Sequence, residues 1–432
     1  MTKENSIRIG LKSYTWLIRI LFPAIIIRLL LRAIRNTDYL ERWGERFGFG
    51  PALTGKKVIW IHAVSVGEVN AAALLLPALI KSYPGFQILI TTMTPTGSRQ
   101  VKTMLGSKIE HMYVPYDYPS AVRRFLDRTH PAIAIVMETE LWPNLFHACG
   151  TRNIPILVSN VRMSESSMRG YLRFPTLSRS TLAQVSQFAI QNQEDADRMI
   201  RIGAPKERVA VTGSIKFEID IPASQRETAE VLRREWGQNR TIWIGASTHE
   251  GEDEIILATH RQLKEQFPDL LLVLVPRHPE RFASVERLAR RGGFNVILRS
   301  QQKFEIEPEV DVLVGDTMGE LQLFFGAVDI AFIGGSLVPT GGHNLLEAAA
   351  VATPVVVGPH TFNFREITRL AIERGHTVQI ESAAELADAI AGLIEHPEQR
   401  AKAGEAGEKL VQENRGALAR NIEIINRLLG GK

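Results

Sequence analysis

The chain has 432 residues, 45% hydrophobic and 23% charged, which excludes a disordered chain, a collagen and a polytopic membrane protein and favours two domains. One cysteine, Cys149, excludes an intramolecular disulfide and a thiolate metal cluster and points to a reducing compartment, the cytosol. The net charge of +4 lies in the head: residues 1–50 hold nine Lys/Arg against four Asp/Glu, the other 382 hold 42 against 43. That distribution argues against nucleic acid as a partner and for an anionic membrane surface.

The first predicted element is the basic apolar head, residues 1–50. Its stretch YTWLIRILFPAIIIRLLLRAI (14–34) is interrupted by Arg19, Arg28 and Arg32, too often for a clean membrane span. At 100° per residue, Arg8, Lys12 and Arg19 share one face and Arg28, Arg32 and Arg35 the opposite one, with Pro23 between the sets. The spacing predicts two basic amphipathic half-helices lying on or dipping into one leaflet, with Tyr14, Trp16 and Trp43 at the interface. The competing expectation is a helix packed on the protein's own core. No small-residue cleavage site follows, so a removed signal peptide is not expected.

From Lys57 the pattern changes to short β-branched runs alternating with helical stretches. The first set is 57–64, 87–93, 132–137, 154–160, 187–191 and 208–213; the second is 241–247, 270–276, 294–298, 310–316, 328–335 and 353–358. Near-continuous apolar runs separated by helices read as buried parallel strands, so the fold class is α/β with two doubly wound Rossmann-like domains. The expected divisions are a domain over 51–215, a linker over 216–240 and a second domain over 241–432, ending in helices.

In such folds ligands lie beyond the carboxyl ends of the strands. After the first strand comes Ser65-Val66-Gly67-Glu68, which is both a capping box and a place for a general base. A helix N-terminus there favours the ionised carboxylate and weakens the base. After 132–137 comes Glu138-Thr139-Glu140-Leu141-Trp142-Pro143, an acidic pair beside a tryptophan at a strand end. Lys216 follows 208–213 at the inter-domain joint, where a lysine meets an anionic ligand or snorkels. Ser247 and Glu250 form a second expected capping box, and His249 among these acids has no spacing resembling a metal ligand set.

Pro276-Arg277-His278-Pro279 holds an arginine at a sheet's mouth, suited to bidentate phosphate contact. Asp316-Thr317-Met318-Gly319-Glu320 ends another strand, where backbone can meet a base. The most specific stretch is GGSLVPTGGHNLLEAA (334–349), a strand entering a glycine-rich loop that opens a helix, where amides can hold a phosphate. Glu347, one turn in, takes ribose hydroxyls or boxes Asn344. The stretch is neither a dinucleotide fingerprint nor a Walker loop, which argues against redox cofactors and ATP hydrolysis. Asp195 and Asp197 imitate a metal-binding D-x-D, but in a helix residues i and i+2 do not face each other.

With RWGERFGF (42–49), HAVSVGE (62–68), METELWPN (137–144), TGSIKFE (212–218), PRHPERF (276–282), GDTMGEL (315–321) and GGSLVPTGGHNLLEAA in this order, nearly the whole chain resembles the lipid A Kdo (3-deoxy-D-manno-octulosonate) transferases. The resemblance implies the two-domain GT-B architecture and the donor CMP-Kdo. It also implies a lipid A precursor (lipid IVA) as acceptor, and a head that anchors the protein to the cytoplasmic side of the cell inner membrane. It implies Glu68 as proton acceptor and Glu138 and Lys216 as transition-state stabilisers. It further implies Pro276, Arg277, Met318, Gly319, Glu320, Asn344, Leu345, Leu346 and Glu347 as the CMP-binding positions, Leu345 standing where the family often has proline. The expected reaction is direct inverting transfer, with no cofactor and no metal. The rivals are a nucleotide-sugar epimerase on the same scaffold and a non-catalytic nucleotide-sugar-binding protein; the first has no use for the head, the second none for Glu68 and Glu138.

Overall fold

The computed structural model describes residues 3–35, 37–106, 109–302 and 305–430, with side chains of the first span described for 10–34. The expected faces of Arg8 and Arg35 therefore lie outside the described residues. The chain divides into two units: Met1–Glu218 with Arg415–Lys432, and Ile219–Asn414.

The first unit is built on seven parallel strands: β1 Lys57–His62, β2 Phe86–Thr92, β3 Glu110–Tyr113, β4 Pro131–Met137, β5 Ile156–Val161, β6 Gln187–Ile190 and β7 Val209–Val211. Their order is β3-β2-β1-β4-β5-β6-β7. Residues alternate between faces along a strand, so Val58 and Trp60 enter one apolar core while Ile59 and Ile61 enter the other. Both faces are covered by helices, which is why these strands read as continuous apolar runs. The chain runs out from β1 to β3 and returns to β4, so the topological switch lies between β1 and β4.

The second unit repeats this plan with β8 Ile242–Thr248, β9 Leu271–Pro276, β10 Val296–Leu298, β11 Val312–Val314, β12 Ile330–Ile333, β13 Val355–Val357 and β14 Thr377–Gln379. The order is β10-β11-β9-β8-β12-β13-β14, all parallel, with the switch between β8 and β12. The two strands absent from the sequence-derived sets, β3 and β14, both lie at sheet edges. Both are short and partly polar (EHMY and TVQ), and so lack the apolar run that marks the other strands, the edge strands β7 and β10 included.

Three expectations need correction. The segment 216–240 is not a linker: the helix Ala223–Gly237 buries Ala229, Leu232 and Trp236 in the second unit, with Trp236 against Phe324 at 5.4 Å and Arg233 paired to Asp329 at 2.9 Å. The final helix, Ala417–Gly430, does not belong with the second unit: its Ala417, Ile424 and Ile425 enter the core containing Ile59 and Ile61, and Asn421 Oδ1 accepts from Ser159 Oγ at 2.8 Å. The head is one helix, Lys3–Arg35, continuing through Pro23 rather than two half-helices. Proline removes one backbone donor, and the turns on either side hold the helix together.

One side of that helix packs on the first unit, as the competing expectation had it. Leu29 and Ala33 are buried, Phe22 packs on Phe47 and Tyr118 at 6.0 and 5.5 Å, and Thr15 Oγ1 donates to Asn144 Oδ1 at 2.7 Å. Another side exposes Trp16, Leu17, Ile20, Ile27, Leu31 and Ile34. Among the described residues no helix is long and apolar enough to cross a membrane.

Candidate active site

In the first unit, β1 and β4 flank the switch, and the expected acids follow them. Ser65 caps the helix Val66–Ser82, accepting from Glu68 N at 3.4 Å, while Ser65 Oγ donates to Glu68 Oε1 at 2.9 Å. Glu68 Oε2 accepts from Val64 N at 2.8 Å, one residue before the position a capping box uses. The capping reading is thus correct in kind, yet it does not hold the Glu68 pKa down. Burial pushes the Glu68 carboxyl up to about 7; the charges of Glu138 and Glu140 add to this, against the Val64 N–H and the Ser65 hydroxyl. The helix N-terminus was expected to hold this pKa down, and desolvation outweighs it.

Glu138 has a left-handed backbone, φ 57°, and its N–H is fixed on Ser159 O at 2.8 Å. Its Oε1 lies 3.3 Å from Lys216 Nζ. Lys216 rides on the turn Ile215–Phe217, which Asn160 Oδ1 ties down through Ile215 N at 3.2 Å. Glu140 accepts from Trp142 Nε1 at 3.0 Å, and burial raises its pKa. The structure therefore brings Glu68, Glu138 and Lys216 together at one end of the sheet, with Glu140 and Trp142 beside them. An apolar cavity of about 370 Å³ opens nearby, lined by Tyr14, Leu141, Pro143, Tyr171, Phe174 and Leu177 among others.

Asp117 is a residue whose importance sequence reasoning missed. It is buried and accepts from Asn144 N and Leu145 N at 3.0 and 2.8 Å, fixing the helix that follows Trp142. Burial raises Asp117 to about 6 against these bonds and that of Tyr14, by which the N-terminal helix joins the same cluster. Its signal was an aspartate framed by aromatics in PYDYP. Asp195 and Asp197 diverge as expected: Asp195 is buried and accepts from Met163 N, while Asp197 is exposed and bonds Gln193.

In the second unit, the loops after β8 and β12 are joined by Glu252. Its Oε2 accepts from His249 N and Gly335 N at 2.9 and 2.7 Å, and its Oε1 from Ser336 N and Leu337 N at 3.1 and 2.9 Å. This corrects one expectation. The capping pair at 247–250 does not form: Ser247 is the sixth residue of β8, and the helix starts at Glu252 after Gly251. The amides of residues 335–337 are held by the Glu252 carboxylate. The helix opened by the glycine-rich loop is only Leu346–Ala349. Leu345 and Leu346 are buried, and Leu346 N donates to Asn344 Oδ1 at 3.1 Å.

Pro276 ends β9, and the exposed Arg277 follows, its N–H on Thr248 O at 3.0 Å. Asn344 Nδ2 donates to Glu347 Oε1 at 3.2 Å; burial raises Glu347, against Asn344 and the charge of Arg277. Met318 is exposed at a turn where Gly319 has φ 84°, and Glu320 pairs with Arg299 at 2.9 Å and accepts from the Thr317 hydroxyl. Arg277, Asn344 and Glu347 are thus one electrostatic group at the switch, and 318–320 follow β11.

A model of the 3-deoxy-D-manno-octulosonic-acid transferase (kdotransferase) N-terminal region matches residues 41–219, and one of group 1 glycosyl transferases matches 227–410. A 3-deoxy-D-manno-octulosonic acid transferase of Haemophilus influenzae is 42% identical over 96% of this chain and 98% of its own. The chain belongs to the Kdo transferase family. It is a glycosyltransferase that transfers Kdo. The transferase of Bordetella pertussis is 35% identical over 96% of this chain and 99% of its own. Among solved structures, a UDP-GlcNAc 2-epimerase from Neisseria meningitidis (14% identity, TM-score 0.54) covers 86% of this chain and all of its own. A glycosyltransferase from Rickettsia africae (15%, TM-score 0.53) covers 88% of this chain and all of its own. At that identity both show the GT-B fold alone. The epimerase rival therefore shares a scaffold with this Kdo transferase, not a demonstrated chemistry.

Proposed function

We propose that this Kdo transferase moves Kdo from CMP-Kdo to a hydroxyl of a lipid A precursor, lipid IVA, with inversion and without a metal. The observation that carries this reading is Glu68: a buried carboxyl at the end of β1 with its pKa near 7, beside Glu138 and Glu140. A carboxylate so tuned is a general base at neutral pH. It takes the proton of the acceptor hydroxyl as that oxygen bonds to the anomeric carbon of Kdo. The bond from that carbon to the phosphate oxygen breaks, and its electron pair leaves with CMP. Glu138, held by Lys216, eases the oxocarbenium-like charge.

The donor reading rests on Arg277 beside Asn344 and Glu347, a cation for phosphate next to an acid for ribose hydroxyls. The protein's own cation offsets the leaving phosphate, so no metal is required for that charge. The lipid reading is supported by the apolar cavity lined by Leu141, Pro143 and Phe174 and by the exposed apolar side of the N-terminal helix. A protein held this way works at the cytoplasmic side of the inner membrane. Incubation with CMP-Kdo and lipid IVA in EDTA, followed by mass analysis of the lipid, tests the reading. Added Kdo mass is expected; unchanged lipid with release or isomerisation of donor alone overturns it.

A further inference from the structure

His249 follows β8 and His343 lies in the glycine-rich loop after β12, and their Nε2 atoms are 2.7 Å apart. The ring planes differ by 6° with centroids 5.0 Å apart. That separation is what two ring radii and the contact add up to, so the imidazoles meet edge to edge in one plane. Gly335, φ 68°, makes room: a Cβ there would come within 3.2 Å of His343 and 3.4 Å of His249. An N–H···N bond needs one protonated and one bare Nε2. The pair therefore holds a charge of zero or +1, and a second added proton would set two N–H groups against each other.

The charged and titratable groups facing the pair are Arg277, His278, Arg281 and Glu252. The His278 ring stands edge-on to His249 at 5.6 Å. Glu252 already accepts four backbone N–H groups, including that of His249, and Arg281 is paired with Asp253. Burial and these cations hold His249 low and His343 at about 3, so the pair is neutral without a ligand.

We infer that His249 and His343 are a one-proton positioning pair, which takes up a proton from solvent when an anionic donor binds beside Arg277. The inference rests on the donor reading above and adds to it. An anion at Arg277 reverses the sign of the local field, and the cheapest response is one proton on the pair. The resulting positive charge then faces the phosphate as it gains charge on bond cleavage. It returns to solvent when CMP departs, so no net proton is consumed at this site.

The test is calorimetry of CMP binding near neutral pH in two buffers of different ionisation enthalpy. It compares wild type with His249→Gln and His343→Gln. Wild type is expected to take up protons beyond either variant, and the excess to vanish in both. Binding with equal proton uptake in all three overturns the pair alone. Absence of CMP binding to wild type overturns the donor reading and the pair's role with it. Imidazole ¹⁵N resonances of the wild type give the same answer without variants: CMP moves one member of the pair into the protonated range, and unmoved resonances in the CMP-bound protein contradict the inference.

Discussion

The Lys216 ammonium lies 3.3 Å from Glu138 Oε1, and Glu138 is one of the two acids whose charge raises Glu68. Lys216 therefore acts on Glu68, the proposed base, through Glu138. In Lys216→Met the Glu138 charge is no longer offset, so Glu68 holds its proton more tightly. The acid limb of the kcat/KM profile is expected to move to higher pH. In Glu138→Gln the same limb moves to lower pH. Profiles that shift in one direction for both variants, or in neither, contradict this coupling.

Arg277 is an exposed cation whose charge acts on Glu347 and on both histidines of the pair. Arg277→Ala is expected to weaken CMP binding by about 1.5–3 kcal/mol, the range for a charge-assisted hydrogen bond. Calorimetry reads this directly, and unchanged affinity removes Arg277 from the donor site.

The N-terminal helix separates into a docked and an exposed side, and substitutions can tell them apart. Ile20→Glu with Leu31→Glu changes exposed positions only. Partition to anionic vesicles is expected to fall while the melting temperature stays close to wild type. Tyr14→Phe leaves the buried Asp117 without its hydroxyl donor and is expected to cost about 1–3 kcal/mol of stability. Vesicle partition unaffected by the two glutamates contradicts the membrane assignment.

Glu68 also sets a pH dependence of stability. Its folded pKa of about 7 is above the ordinary 4.5, so the folded state binds the proton more tightly than the unfolded state. The stability it lends is full below pH 4.5 and is lost as pH rises through about 7. Glu68→Gln lacks this titration. Its stability relative to wild type is expected to grow across that window, by a few kcal/mol at most. A difference independent of pH, read by denaturant titration, contradicts a buried titrating Glu68.

The sequence made the central strands legible because strands covered on both faces are apolar throughout, as in IWIGAS at β8. The edge strands β3 and β14 were not, because EHMY and TVQ carry polar residues, whereas the apolar edge strands β7 and β10 were. Glu68, Glu138 and Arg277 were legible as residues that follow strands, since connectivity alone puts them at the carboxyl ends. What each touches was not. The capping box is written in Ser65 and Glu68, but the acids that raise Glu68, Glu138 and Glu140, follow β4, 70 and 72 residues on. Glu252 reads as a first-turn helix acid, and only the fold reveals that it gathers amides from 83 to 85 residues on. The return of the last helix to the first sheet has no local signal, since Ala417–Gly430 is an amphipathic helix that fits either unit.

Glu68→Gln is the sharpest test of Glu68 as the proposed base. Glutamine keeps an acceptor for Val64 N and a partner for the Ser65 hydroxyl, so the helix start survives. It cannot take a proton from the acceptor hydroxyl. Turnover with CMP-Kdo and lipid IVA is expected to fall by roughly 10²–10⁴ with CMP affinity nearly unchanged. Near wild-type turnover by a well-folded Glu68→Gln enzyme would rule out Glu68 as the base and leave Glu138 as the next candidate.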